Sequence, residues 1–246
     1  MKRGSLFVLA IPAMLCICLA PLVAEGKGSV VEWLATPIAA PYAAIGPELL
    51  DQASLARSLG IPERLLVERL DEGALKRVPA HLLAAAIQQD VPRFASVLAI
   101  IAPGDSTLRD HSGLSALLRQ GAILLRAGYR DTELRMIFSK ATAGAAARGR
   151  QLSSVESAAR AFNAAAVALD ASIRFSLSPA SRQGLAEALA ISALPDLRFD
   201  AVLSLFIRAR GLGLQADPAA AILMNGLGKG ASIDALDREI TRRASH

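Results

Sequence analysis

Seven residues recur in register 153 positions apart. Leu59, Gly60, Leu70, Gly73, Lys76, Leu83 and Ile87 return as Leu212, Gly213, Leu223, Gly226, Lys229, Leu236 and Ile240, with no insertion between them. Self-similarity at one fixed offset marks a supersecondary unit used more than once. The spacing inside this unit is that of two helices joined by a short turn. Paired amphipathic helices cannot bury both faces alone, so neighbouring pairs must stack. The expected fold is therefore all-α, with stacked helical hairpins arranged as an irregular α-solenoid-like stack or a compact orthogonal helical array.

Periodicity and punctuation agree with this expectation. Leu114, Leu117, Leu118, Gly121, Leu124 and Leu125 form one apolar stripe at helical spacing. Val155, Phe162 and Leu169 recur every seven residues with Ala158, Ala159, Ala165, Ala166 and Ile173 on the same face, while Arg160, Asn163 and Arg174 are expected to project elsewhere. Pro62, Pro79, Pro92, Pro179 and Pro218 read as first-turn prolines, and Ser178 and Asp217 as caps before two of them. Ser153 with Glu156 fits a capping box. Gly60, Gly128 and Gly213 end apolar segments and precede Ile61, Tyr129 and Leu214, the pattern of a left-handed terminating residue with an apolar neighbour folding back. About ten helices are expected after residue 50. Phe199 to Ile207, apolar nearly all round, is expected to be the most buried of them.

The N-terminus carries an address. Lys2 and Arg3 precede an uncharged stretch from Gly4 to Ala24, so residues 1–24 read as a signal peptide, with an uncleaved membrane anchor as the alternative. Residues 25–50 form an Ala/Pro-rich lead-in in which Pro37, Pro41 and Pro47 interrupt any single helix. Residues 51–246 are expected to form one helical-repeat domain. Trp33 and Tyr42 in the lead-in are expected to cap the helical core, the other route being peripheral membrane contact through the N-terminal segment. The expected localisation is periplasmic or secreted, or membrane-anchored if the leader is retained.

Composition narrows the chemistry. Both cysteines, Cys16 and Cys18, lie in the leader, so the mature chain has no thiol for a disulfide, a metal or a nucleophile. Loss of Lys2 and Arg3 with the leader lowers the formal net charge from +5 to +3, and the aromatic content is 4%. A nucleic-acid binder would want a concentrated basic face with stacking aromatics, so no nucleic-acid partner is expected.

No motif points to catalysis. Asn225 to Ser232, NGLGKGAS, resembles a phosphate loop, but Gly230 follows Lys229 where a P-loop needs Ser or Thr, and Gly226 and Lys229 recur as Gly73 and Lys76. A structural turn is the simpler reading. His81 has no partner ligand four residues away, and Asp71 with Glu72 and Asp196 with Asp200 read as solvated faces and caps. The longest irregular stretch, Pro103 to His111, makes Asp105, Asp110 and His111 the candidate functional loop. Neither a cofactor nor a metal is called for.

These readings converge on an exported, non-enzymatic interaction or structural module of the cell envelope, with a protein or envelope component as partner. The alternative is an envelope hydrolase acting on glycan or peptide, with carboxylates gathered around the Pro103 to His111 loop. A third reading is a carrier of apolar ligands, on the strength of a 53% hydrophobic fraction.

Overall fold

The computed structural model describes residues 28–102 and 113–245. The leader expected over residues 1–24 and the loop residues Asp105, Asp110 and His111 lie outside the described residues. The helices are α1 (Val30–Leu34), α2 (Gly46–Ser58), α3 (Arg64–Leu75), α4 (Ala80–Ile101), α5 (Leu114–Arg126), α6 (Asp131–Ala147), α7 (Ser154–Phe175), α8 (Pro179–Ile191), α9 (Ala201–Gly211), α10 (Ala216–Gly228) and α11 (Ile233–Ala244), with 3-10 segments at Pro37–Ile45 and Asp196–Arg198. No strand occurs among the described residues. The all-α expectation holds, with the helices packed around one hydrophobic cluster that runs from Val30 to Ile240.

Local signals explain most boundaries. Ser153 Oγ accepts from the Glu156 N–H at 3.2 Å while the Ser153 N–H donates to Glu156 Oε2 at 2.8 Å, which opens α7 with the expected capping box. Ser178 caps α8, with Pro179 as its first residue. Gly60 and Gly213 have φ of 78° and 84°, and Gly128 has φ of 96°. Behind them the Ile61 and Leu214 N–H groups donate to the carbonyls of Ala56 and Ala209 at 2.9 and 3.0 Å, the six-to-one bond that closes a left-handed helix terminus.

The second turn of the unit matches as well. The Val78 and Ala231 N–H groups donate to the carbonyls of Gly73 and Gly226, each at 2.9 Å, and the left-handed positions between are Arg77 (φ 53°) and Gly230 (φ 77°). On the flank of each hairpin, α4 packs against α2 and α3, and α11 packs against α9 and α10.

Four expectations are corrected. Pro92 does not open a helix but lies inside α4, exposed, where water can serve the carbonyl it leaves unpaired, while Val91, Phe94 and Val97 are buried on either side of it. Asp217 does not cap α10. Its Oδ1 accepts from the Ser178 N–H at 3.0 Å and ties the start of α8 to α10. The helix with the most buried residues is α7, with ten, not α9, which has four and in which Ile207 is 61% exposed. Fully buried Ala158, Ala161, Ala164, Ala165 and Ala168 let α5, α6, α8 and α9 approach α7 closely. Arg160 does not project away but is buried in the core.

The segment before residue 50 belongs to the packing. Helix α2 runs across that position. In Pro37–Ile45 the threefold period of a 3-10 helix puts Ala39, Tyr42 and Ile45 on one buried face. Trp33 is fully buried, its Nε1–H donates to Asp71 Oδ1 at 2.7 Å, and the Tyr42 hydroxyl donates to the Val78 carbonyl at 3.0 Å. Both rings thus close the α3–α4 end of the core.

Candidate functional site

One buried charged constellation is structural. Arg160 reaches from the middle of α7 to the C-terminus of α8, where its guanidinium donates to the carbonyls of Ala190 (2.7 Å), Leu194 (3.0 Å) and Ser192 (2.6 Å) and pairs with Asp196. Its cationic plane lies 4.9 Å from the Phe199 ring. Burial pushes its pKa below the usual guanidinium value, opposed by the Asp196 charge. Arg148 Nη1 donates to the next carbonyl, Ile191, at 2.6 Å. Two arginines therefore satisfy the helix-terminal carbonyls that no backbone N–H can reach.

A second constellation joins three helices. Asp90 of α4 is 1% exposed, and its Oδ1 accepts from Arg93 Nη1 at 3.1 Å and from Arg126 Nη2 of α5 at 3.0 Å. Arg69 Nε of α3 lies 3.4 Å from Oδ2. Beside it, Arg119 of α5 pairs with Glu68 of α3, and Arg64 Nε donates to Ser115 Oγ at 2.7 Å. Through these pairs α5 covers the face formed by α3 and α4.

No described element lies on the corresponding face of α10 and α11. This face forms a groove of about 780 Å³ with an apolar floor of Pro218, Ala221, Ile222, Ala231, Ala235 and Leu236. Its rim carries Lys229, Glu239, Arg242 and Arg243. Position by position, Ala221 stands where α3 has Glu68, Ile222 where it has Arg69, Asn225 where it has Glu72, and Arg243 where α4 has Asp90. Glu239 is held by Arg242 Nη2 at 2.6 Å and Arg243 Nε at 3.0 Å, which lowers its pKa to about 2. Lys76 pairs with Glu72 at 2.6 Å, whereas its counterpart Lys229 has no carboxylate partner among the described residues.

The residues singled out from sequence fall as follows. NGLGKGAS forms the last turn of α10 through Gly228 and then the connection to α11, with Ser232 capping α11, and Asn225, Gly226, Lys229 and Ala231 line the groove. His81 is exposed in the first turn of α4. Asp71 receives the Trp33 N–H, Glu72 is held by Lys76 and Arg69, and Asp196 pairs with Arg160. Asp71, Glu72 and Asp196 are thus each engaged by a cation or an N–H donor of the chain itself. Asp105, Asp110 and His111 lie outside the described residues. Among the described residues no group of three or more His, Asp or Glu side chains is placed to hold a metal, and no helix is long and apolar enough to cross a membrane.

Sequence reasoning missed the Arg160 and Asp90 clusters because each joins segments more than 20 residues apart. The Glu239, Arg242, Arg243 set carried a visible signal, since spacings of three and four place all three on one helix face. Compared with known protein families, curated proteins and solved structures, the chain has no match.

Proposed function

We propose that the chain is an exported, non-enzymatic helical-repeat protein that serves as an interaction or structural module in the cell envelope, holding a partner segment in the groove between α10 and α11. One observation carries the reading: the α3–α4 face is covered by α5, and the counterpart face on α10 and α11 has no described element upon it. An amphipathic segment laid into an apolar groove is a common mode of recognition and uses the same physics as core packing.

Affinity purification from the envelope fraction, comparing the native chain with Ile222→Glu, tests the proposal. Ile222 is only partly buried, so a charge there disables the groove without emptying the core. The same partner should be recovered with the native chain and lost with the variant, and the protein should fractionate outside the cytoplasm only when its leader is present. Equal recovery with both forms, or turnover of an envelope glycan or peptide by the purified protein, would contradict the reading.

A further inference from the structure

The two counterpart faces differ in charge, and the difference specifies the partner. On α3 and α4 the face presents Glu68, Glu72 and Asp90, and the helix laid upon it, α5, answers with Arg119 and Arg126. On α10 and α11 the same positions hold Ala221, Asn225 and Arg243, and Gln89 is replaced by Arg242. The acid that would pair Lys229 is absent, and Glu239 is shared by two arginines. The first face thus sets Glu68, Glu72 and Asp90 beside Arg64, Arg69 and Lys76, whereas the second is apolar along α10 and along α11 sets Arg242 and Arg243 around the single carboxylate of Glu239.

From this, and resting on the function proposed above, we infer that the groove takes an acidic amphipathic helix. Its apolar stripe lies on Pro218, Ala221 and Ile222, and a carboxylate, placed where α5 has Arg126, meets Arg243, with a second within reach of Lys229. A residue standing where α5 has Arg119 faces Ala221 and is apolar. Like charges opposed across such a contact are repelled, so the groove discriminates against a basic helix such as α5 itself. Arg243 and Arg242 are each more than half exposed, so the pairs steer and select while the apolar floor supplies most of the affinity.

Two synthetic helices test the inference against the full chain. One carries residues 114–126 of α5. The other carries the same residues with Arg119→Leu and Arg126→Glu. Both are locked as helices by a staple between Ala116 and Ile123, which are exposed in the protein, so that helix formation is not a variable. By fluorescence anisotropy the acidic helix is expected to bind at least about tenfold more tightly than the native one. Arg243→Glu should abolish or invert the preference, and Arg243→Gln should weaken it.

Equal binding of the two helices, unaltered by Arg243→Glu, would overturn the charge assignment and leave the groove as a docking site. Binding of neither helix overturns the inference. If Ile222→Glu also failed to change partner recovery, the proposed function would fall with it.

Discussion

Gly144 of α6 lies directly against the backbone of Ile191 at the end of α8. A Cβ on Gly144 would stand 2.7 Å from the Ile191 carbonyl oxygen and 2.8 Å from its Cα. The obstacle is main chain, and it is pinned by Arg148 and Arg160, so it cannot rotate aside. Gly144→Ala should cost about 3 kcal/mol in chemical denaturation, because overpacking outweighs the ~1 kcal/mol that Ala gains over Gly in a helix. At Gly211, in the last turn of α9, an added Cβ meets nothing within 4 Å. Gly211→Ala should therefore stabilise by about 0.5–1 kcal/mol. Equal effects of the two substitutions would refute the close-approach account.

Arg160 is expected to be the costliest single polar side chain to remove. Arg160→Met fills much of the same volume but leaves the Ala190, Ser192 and Leu194 carbonyls without their donor, a loss of about 3–5 kcal/mol. Arg160→Lys should rescue little of it, since one ammonium cannot reproduce the planar fork. A loss below about 1 kcal/mol in equilibrium unfolding would show that water replaces the guanidinium without cost.

Arg77 occupies a left-handed position where its counterpart is Gly230. The left-handed conformation costs a non-glycine residue about 1–2 kcal/mol, and glycine gives back about 0.4–1 kcal/mol through the entropy of the unfolded chain. Arg77→Gly should thus raise stability by about 0.5–1 kcal/mol, measured by thermal or chemical unfolding. A clear loss would mean that the Arg77 side chain holds the α3–α4 turn.

Stability should fall at both ends of the pH range. Glu72 is lowered chiefly by the Lys76 bond, Asp217 by the bonds from Ser181 and Ser178, and Glu239 to about 2 by Arg242 and Arg243. Their contribution is present above the unfolded carboxylate range, about pH 4, and is lost as pH drops toward 2. Tyr129 has the opposite sense: burial raises its pKa, so its stabilising share is present below about pH 10 and lost above it. The melting temperature should be flat from roughly pH 5 to 9 and fall on either side. Tyr129→Phe should flatten the alkaline limb, and an unchanged alkaline slope would contradict the assignment to Tyr129.

Much of the fold was legible because its signals are local. The capping box at Ser153 and the terminating positions at Gly60, Gly128 and Gly213 each depend on a handful of adjacent residues. Pro92 was misread because a first-turn proline and a mid-helix proline look alike until the burial of Val91 and Phe94 shows that packing carries α4 through it. Asp217 was misread because a cap and a tertiary acceptor use the same carboxylate. Half of the groove was visible as the recurring Gly226 and Lys229, but that no described element lies on it depends on where α5 lies, and only Arg119 and Arg126 pairing with Glu68 and Asp90 reveal that. Arg160 illustrates the limit of periodicity, since α7 is buried around most of its circumference and has no face left for a charge to leave by.

The most direct test of the account places a photo-crosslinking amino acid at Ala221 on the groove floor and, separately, at Leu197, which is 97% exposed and does not line the groove. In intact cells, irradiation should give one discrete adduct from position 221, suppressed by Arg243→Glu, and none from position 197. No adduct at 221, or the same adducts from both positions, would contradict a groove that holds a partner.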